Sequence, residues 1–232
     1  MGRLPRILHV DDCIDLTFQV KMSLAPYDVV QASTIEQARS ILEKGGLDLL
    51  LLDVTMPDGD GFKFCKELAD DPKHSHIPRI LVTGKSQPSD LAFGFQCGAD
   101  DFISKPFDAI VLKARVENGL KKFSERDAVF VHGNFEFDTS FQKCSLVQAS
   151  GKTDLLLTPT EFRILIALVR NEGTPVTRRE LVQQVWKANG TNIEVRGVDT
   201  HIAHLRKKLG EHHDMILSVY GKGYAIKLPD AS

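Results

Sequence analysis

The sequence predicts an α/β domain built on a five-stranded parallel sheet, followed by an α+β domain. Three observations lead to this prediction. Short apolar runs alternate with helical patterns in the first half of the chain, whereas the second half opens and closes with short alternating stretches. The 232 residues are enough for two hydrophobic cores. We place the domains at residues 1–122 and 129–232, joined by a short polar linker at residues 123–128.

The first half is predicted to form a parallel sheet that is covered by helices on both faces. Its strand candidates are the apolar runs at residues 7–10, 29–30, 49–52, 80–82 and 102–103. Its helix candidates, with apolar residues at spacings of three and four, are residues 18–25, 35–44, 61–69, 91–97 and 109–120. Because parallel strands end at a common edge, functional side chains are expected at their carboxyl ends.

The second half is predicted to begin with a small antiparallel sheet and to end in a hairpin. Its first strand candidates are alternating stretches at residues 135–137, 145–147 and 155–157. Helical patterns follow at residues 161–170, 179–186 and 193–209. The hairpin pairs residues 216–220 with residues 224–228 around a Gly-Lys-Gly turn.

Composition and charge exclude several classes of protein. The 29 basic and 31 acidic residues give a net charge of −2, which excludes a chain that is strongly basic throughout. The 4 cysteines lie far apart with no CxxC pair, so neither a cysteine zinc site nor a disulfide framework is predicted. No apolar run approaches the ~20 residues of a membrane span, and no signal peptide is evident, so we expect a cytoplasmic protein without membrane contact.

Acidic residues follow two of the predicted strands where those strands end. Asp11 and Asp12 come after the first strand, and Asp53 comes after the third. Neighbouring carboxylates repel one another unless a cation lies between them, and oxygen ligands without His or Cys favour Mg²⁺. Thr83 and Lys105, at the ends of two further strands, would offer a hydroxyl and an ammonium to a phosphoryl oxygen. The set predicts phosphoryl transfer onto a carboxylate, although any one aspartate taken alone could equally cap a helix or end a strand.

Four segments, HVDD, LLDVTMPDGDGF, ILVTGK and GADDFISKPF, resemble in order and spacing the signature segments of two-component response-regulator receiver domains. The resemblance covers residues 6 to about 120. It implies that Asp53 accepts the phosphoryl group. It also implies that Mg²⁺ is bound by Asp11, Asp12, Asp53 and the carbonyl group of Thr55.

The same resemblance assigns roles to residues at the other strand ends. Lys105 contacts the phosphate, and its peptide bond to Pro106 is expected to be cis. Thr83 and Phe102 are the pair of side chains that switches with phosphorylation.

A symmetric dimer of the phosphorylated domain is also implied. Asp100, Asp101 and Arg115 retain charged residues of the family's dimer face. Leu91 and Phe93 stand where the family usually carries basic residues that form ion pairs between subunits. We therefore expect an interface that is more apolar than usual.

The second half resembles the winged-helix DNA-binding domain of the OmpR/PhoB family, from residue 129 to about residue 228. LTPTEFRILIALVRNEGTPVTRRELVQQVW resembles the first two helices, and HIAHLRKKLGE with SVYGKGYAI resembles the recognition helix and the wing. The two resemblances together imply a phosphorylation-regulated transcription factor that is not an enzyme. Its implied partners are a sensor histidine kinase, promoter DNA and a second copy of the chain, and RNA polymerase is a further candidate.

The helix at residues 193–209 is predicted to read DNA with the face opposite its apolar residues. That outward face presents Arg196, Thr200, Ala203, His204 and Lys207. Ala203 and His204 stand where the family commonly has arginines, and Tyr220 replaces an arginine of the wing, for which Lys222 is a partial substitute. Fewer cations predict weaker binding with a shallower salt dependence.

These motifs have two alternative interpretations. Asp58, Asp60, Gly61 and Glu67 have the spacing of an EF-hand loop, but Met56 stands at its first position and an apolar strand precedes it, so a calcium site is not expected. The other alternative is a receiver that is regulated by protein contacts without phosphorylation, with a winged helix that docks a protein partner. The three histidines of the first half are expected to be packed or solvent-facing.

Overall fold

A computed structural model describes residues 3–85, 87–120, 129–139, 141–148, 151–186 and 192–228. For residues 192–196 it describes the backbone but not the side chains. The chain divides into two compact units, Met1–Lys121 and Lys122–Ser232. The predicted linker at residues 123–128 lies outside the described residues. Each unit has its own hydrophobic core. Among the described residues, none of the helices combines the length and the hydrophobicity that a membrane span needs.

The first unit contains a five-stranded parallel sheet, as predicted. The strands of this unit are β1 (Arg6–Val10), β2 (Asp28–Ala32), β3 (Leu49–Leu52), β4 (Thr55–Met56), β5 (Gly59–Asp60), β6 (Arg79–Thr83) and β7 (Asp101–Ser104). The short strands β4 and β5 pair only with each other, and the others are arranged in the order β2-β1-β3-β6-β7. This order places the carboxyl ends of β1, β3 and β6 side by side.

Helices cover both faces of this sheet, as predicted. They are α1 (Ile14–Ser23), α2 (Ile35–Leu42), α3 (Gly61–Asp70), α4 (Pro88–Gln96) and α5 (Ala109–Leu120). Alternate residues of a strand point to opposite faces. Ile7 therefore packs in one core with Val116 of α5, whereas Leu8 packs in the other with Phe64 of α3.

The first helix begins earlier in the chain than predicted, and several of its apolar residues are exposed. α1 begins at Ile14 rather than at residue 18, and Val20 is its fully buried residue. Ile14, Phe18 and Met22 are 83%, 66% and 64% exposed. Their spacing of four residues places them on one side of the helix, where they form an exposed apolar stripe.

The second unit is an α+β domain, as predicted. It opens with an antiparallel sheet of β8 (Val129–His132), β9 (Phe135–Asp138), β10 (Lys143–Gln148) and β11 (Gly151–Asp154). Its helices are α6 (Pro159–Arg170), α7 (Arg178–Trp186) and α8 (Asn192–Leu209). A 3₁₀ helix, Gly210–Met215, leads into a hairpin of β12 (Ile216–Val219) and β13 (Gly223–Ile226).

The strand predicted at residues 155–157 is wrong. The antiparallel ladder ends at Asp154, and the following residues approach the helices instead. Leu155 and Leu157 are buried in the core shared with α6, α7 and α8. They are apolar because they fill this core, not because they belong to the sheet.

Candidate functional site

The predicted acidic residues meet at the carboxyl edge of the parallel sheet. Asp11 follows β1 and Asp53 follows β3, and both side chains are buried, whereas Asp12 is exposed. Backbone hydrogen bonds from Asp11 N to Ala32 O and from Asp53 N to Val10 O extend the strand pairing to these residues. One carboxylate oxygen of each aspartate lies within 4.8 Å of those of the other two. The cluster therefore has oxygen donors in the arrangement of a metal site.

Lys105 joins this cluster from the end of β7. Its Nζ atom donates to Oδ2 of Asp11 and to Oδ2 of Asp53, each at 2.6 Å. Burial by itself would lower the pKa of Lys105, but the hydrogen bonds and charges of the two carboxylates outweigh it and raise that pKa. The peptide bond from Lys105 to Pro106 is cis, as predicted. The ammonium thus carries a full positive charge between two carboxylates.

The second oxygen of each buried carboxylate is held by the backbone of the following loop. Oδ1 of Asp11 accepts from Cys13 N at 2.9 Å, and Oδ1 of Asp53 accepts from Thr55 N at 3.1 Å. Directly behind Asp53, the first turn of α3 begins at Gly61. A Cβ atom at Gly61 would lie 2.2 Å from the carbonyl oxygen of Asp53, so only glycine allows this close approach.

Thr83 and Phe102 lie on the neighbouring strands β6 and β7, and both side chains are buried. The hydroxyl oxygen of Thr83 accepts a hydrogen bond from Lys85 N at 3.2 Å. Phe102 packs near α4, where its ring lies 3.8 Å from the position that a Cβ atom would take at Gly94. The backbone of Thr83 thus contacts the acidic cluster, since its carbonyl oxygen accepts from Lys105 N at 2.9 Å, and Phe102 lies near α4.

The face of α8 that was predicted to read DNA is only partly exposed. Ala203 and Lys207 are exposed and Thr200 is half-buried. The side chain of Arg196 lies outside the described residues. The prediction for His204 requires correction, since its Nδ1 atom lies 3.4 Å from Oε1 of Glu161 on α6 and its side chain is 25% exposed. Its ring turns towards α6 because a buried carboxylate lies there.

The hairpin of β12 and β13 is fixed to the helices through Tyr224. The hydroxyl group of Tyr224 donates to Asp199 of α8 at 2.8 Å and accepts from Arg178 of α7 at 3.0 Å. Arg178 also donates to Asp199 at 2.6 Å. At the tip of the hairpin, Tyr220 is fully exposed, and Lys222 is also exposed. The domain thus presents a helix and a firmly attached hairpin of the kind that a winged helix uses.

Comparisons with known proteins identify both units. Residues 7–117 match the family described as response regulator receiver domain, and residues 151–226 match transcriptional regulatory protein, C terminal. Regulatory protein VanR of Enterococcus faecium is 34% identical over 234 residues, which cover 96% of this chain and 98% of VanR. The probable transcriptional regulator ycf27 of Cyanophora paradoxa is also 34% identical, over 94% of this chain and 95% of that protein. The chain belongs to the OmpR/PhoB family of response regulators.

A solved structure of the same family agrees with this assignment. Response regulator DrrB, described as a Thermotoga maritima OmpR/PhoB homologue, matches with a TM-score of 0.50 and 28% identity over 97% of this chain and all of DrrB. This response regulator is therefore a phosphorylation-regulated transcription factor, and its family consists of transcription regulators rather than typical enzymes. The alternative of a protein-docking module without phosphorylation is not favoured. A histidine kinase and DNA are the partners that membership of this family implies.

Part of the predicted dimer face of this response regulator is buried within the receiver itself. Leu91 is 5% exposed and packs in the core of the domain, so it is not available to a second copy. Asp100 is also buried, and it accepts a hydrogen bond from Arg79 N at 2.9 Å. Asp101 pairs with Arg115 at 2.6 Å. Phe93 is 49% exposed.

The aspartates of the EF-hand-like segment have other partners. Asp58 accepts hydrogen bonds from the first two backbone N–H groups of α2, Ile35 N and Glu36 N. Asp60 caps α3 by accepting from Phe62 N at 2.8 Å. Both carboxylates therefore cap helices.

One buried residue beside the acidic cluster was given no functional role by the sequence. His9 is 1% exposed, and its Nε2 atom lies 3.9 Å from Oδ2 of Asp11. Burial is the main cause that lowers the pKa of His9 to about 4, so its ring is neutral near pH 7. The period of two in β1 places residues 9 and 11 on the same face, and this signal could have identified the contact.

Proposed function

We propose that Asp53 is the residue of this response regulator that a sensor histidine kinase phosphorylates. A carboxylate oxygen of Asp53 would attack the phosphorus of a phosphohistidine, and the P–N bond would break as the new O–P bond forms, with the electron pair returning to the imidazole. The observation that carries this proposal is the ammonium of Lys105, 2.6 Å from the acceptor carboxylate. In that position it offsets the negative charge that the phosphoryl group brings.

The acidic cluster fits a Mg²⁺ ion. We assign as its ligands the carboxylates of Asp11, Asp12 and Asp53 and the carbonyl group of Thr55. In support, the three carboxylates converge and Asp12 is exposed, which leaves room for the water ligands that Mg²⁺ retains. When bound, the ion supplies positive charge to the phosphoryl oxygens. The chain's own contribution is to hold the acceptor carboxylate and the ammonium of Lys105 in fixed positions.

We assign the transmission of the signal to Thr83 and Phe102. A phosphoryl oxygen on Asp53 would attract the hydroxyl group of Thr83, which now accepts from the backbone. Phe102 packs against α4 and can respond to that movement. Phosphorylated copies would then pair through the face that carries Phe93, Asp101 and Arg115.

The exposed apolar stripe of α1 is the surface to which we assign the kinase contact. Ile14 follows Asp11 by only three positions, so the stripe begins next to the acidic cluster. Phe18 and Met22 continue it along the helix. Exposed apolar side chains that lie on one helix face are typical of protein contacts. Their position would place the donor histidine of a bound kinase near Asp53.

The second domain is assigned to promoter DNA. Thr200 and Lys207 of α8 and Lys222 of the hairpin are the described side chains that support this assignment, and Arg196 remains a sequence-based candidate on the same helix. A symmetric dimer would place two such domains on half-sites about one helical turn apart. We also propose that the protein acts in the cytoplasm and that RNA polymerase is a further partner.

Labelling with a small phosphodonor tests the assignment of Asp53. The full chain is incubated with the donor and Mg²⁺, and the phosphorylated residue is identified by mass spectrometry. We expect one phosphoryl group on Asp53, none on Asp53→Asn, and normal labelling of Asp70→Asn, since Asp70 is exposed on α3. Undiminished labelling of Asp53→Asn would overturn the assignment.

A further inference from the structure

Three potential metal ligands meet within the winged-helix domain. Glu161 lies in the first turn of α6, and His201 and His204 lie three positions apart on α8. One ligand atom from each residue lies within 4.8 Å of the others. Side chains three positions apart share one face of a helix, so both imidazoles approach the same carboxylate. We refer to these residues as the Glu-His-His cluster.

The two oxygens of the Glu161 carboxylate have different surroundings. Oε2 accepts hydrogen bonds from Thr158 N at 2.8 Å and from Nζ of Lys208 at 2.7 Å. Oε1 faces Nδ1 of His204. One oxygen is thus fixed by groups that orient the carboxylate, as outer partners do in metal sites, while the other is directed at the imidazoles.

The separation of Oε1 and the His204 ring suits two ligands of one ion. The distance from Oε1 of Glu161 to Nδ1 of His204 is 3.4 Å. A charge-assisted hydrogen bond is about 2.7–2.9 Å long. Two ligand atoms of a tetrahedral Zn²⁺ site, each ~2.0–2.1 Å from the metal, lie about 3.4 Å apart. The observed distance lies within reach of an ion pair, and it also matches the spacing of two ligands across a shared metal ion.

We propose that the Glu-His-His cluster is a transition-metal site that takes Zn²⁺. Two imidazoles and one carboxylate select a borderline ion such as Zn²⁺ rather than Mg²⁺, which prefers oxygen ligands alone. Glu161 and His201 are buried, and the side chain of His204 is 25% exposed, so the site opens to solvent at His204. That opening supplies an entry path and a position for a fourth, water ligand.

Lys208 makes this site a reversible one. Its ammonium donates to Oε2 of Glu161 and to the carbonyl oxygen of Leu156, each at 2.7 Å, which satisfies the cluster when no metal is present. The same positive charge repels a divalent cation and lowers its affinity. The domain can therefore fold without the ion. A bound ion would fix α8 to α6, and α8 is the helix to which we assign DNA contacts.

Metal titration of the full chain tests the proposal. Zn²⁺ is added in competition with a chromophoric chelator, in excess Mg²⁺ that occupies the oxygen-only cluster of the receiver. We expect one equivalent of Zn²⁺ to bind the unaltered chain, and His204→Gln should weaken this binding by about tenfold or more. His213→Gln, which changes an exposed histidine of the same domain, should bind as the unaltered chain does. Equal Zn²⁺ affinity in the unaltered chain and His204→Gln would overturn the proposal.

Two further measurements do not depend on that variant. Lys208→Gln keeps a hydrogen-bond donor but removes the charge, so its Zn²⁺ affinity should rise, and an unchanged affinity would contradict a site at Glu161. In the unaltered chain, nuclear magnetic resonance of the histidine rings should show His201 and His204 shifting together as Zn²⁺ is added. Shifts confined to other histidines would overturn the assignment.

Discussion

The ammonium of Lys105 lies 2.6 Å from the carboxylate of Asp53, although 52 positions separate them in the sequence. Two features of the sheet produce this contact. β3 and β7 flank β6, so residues that follow their carboxyl ends lie on the same edge. A hydrogen bond from Lys105 N to Thr83 O fixes the start of the loop after β7. The proposed phosphoacceptor and its cation are therefore positioned by the topology of the domain.

Removing the charge of Lys105 should slow phosphorylation. Lys105→Gln leaves the developing charge on the phosphoryl group without its ammonium partner, and loss of one such group lowers a rate by about 100-fold or more. The measurement is the rate of labelling by a small phosphodonor at saturating Mg²⁺. Lys63→Gln, an exposed lysine of α3, is the control. Labelling of Lys105→Gln at the rate of the unaltered chain would contradict the role of Lys105.

A methyl group at Gly61 should disturb the acceptor from behind. The added Cβ atom in Gly61→Ala would lie 2.2 Å from the carbonyl oxygen of Asp53. The resulting overpacking should destabilise the receiver by about 1–3 kcal/mol and reduce labelling of Asp53. Gly84→Ala is the control for stability, because its Cβ atom meets nothing within 4 Å. Equal denaturant midpoints for the two variants would show that α3 does not press on Asp53.

The buried carboxylate of Glu161 should make the stability of the second domain depend on pH. Burial raises the pKa of Glu161, but the hydrogen bond with His204 and the charge of Lys208 outweigh it and lower that pKa from 4.5 to about 2. Because the pKa of Glu161 is lower in the folded state than in the unfolded state, the ionised carboxylate stabilises the domain above pH 4.5. This stabilisation is lost as the pH falls towards 2. The loss amounts to about 3 kcal/mol for a shift of this size.

Fluorescence of Trp186 measures this effect, because it is the 1 tryptophan of the chain and it is buried in the second domain. Denaturant unfolding is followed between pH 5 and pH 2. Glu161→Gln should be less stable near neutral pH, since it leaves Lys208 without its charged partner. Its stability should fall less steeply with acid than that of the unaltered chain. Parallel curves for the two proteins would refute the assignment of this pH dependence to Glu161.

Lys207 and Lys222 should each contribute one phosphate contact to DNA binding. Removing such a contact lowers the slope of log K against log salt concentration by about 0.9. Binding isotherms of Lys207→Ala and Lys222→Ala across salt concentrations measure the slope. Lys152→Ala, on β11 of the same domain, is the control that should keep the slope unchanged. A slope in both lysine variants equal to that of Lys152→Ala would remove α8 and the hairpin from the proposed DNA surface.

Substitution of Phe93 or Phe18 should distinguish the two proposed protein contacts of the receiver, the dimer contact and the kinase contact. Both rings are substantially exposed, Phe93 on α4 and Phe18 on α1. Phe93→Lys should weaken the dimer of the phosphorylated protein in analytical ultracentrifugation and leave transfer from a histidine kinase unaltered. Phe18→Lys should slow transfer from the kinase but not from a small phosphodonor. If each variant impaired both processes alike, the assignment of separate surfaces would be wrong.

Much of the fold could be predicted because the parallel strands are short runs of buried apolar residues. The exceptions arise where apolar residues have another environment. Phe18 suggested a buried helix face, yet it is 66% exposed and the helix begins four positions earlier, at Ile14. Leu155 and Leu157 suggested a strand, yet they pack against helices. An apolar pattern indicates that a segment favours burial. It does not show whether a strand, a helix or another protein covers the segment.

The candidate site could be predicted to the extent that strand ends define it. Asp11, Asp53 and Lys105 converge because parallel strands share an edge, which sequence order alone indicates. The direction of residues on helices depends on the neighbouring element instead. His204 was expected to face DNA, but the carboxylate of Glu161 lies on its other side, 43 positions earlier in the chain. No local pattern in α8 contains that information.

Phosphorylation of Asp53 should strengthen the binding of the full chain to promoter DNA. The full chain is treated with a small phosphodonor and Mg²⁺, and its retention of a promoter duplex is measured at a stated salt concentration, with Asp53→Asn treated in the same way. We expect phosphorylation to increase retention of the specific duplex by the unaltered chain and to leave retention by Asp53→Asn unchanged. Equal retention by the unaltered chain before and after phosphorylation, or an equal increase in Asp53→Asn, would contradict a phosphorylation-regulated DNA contact.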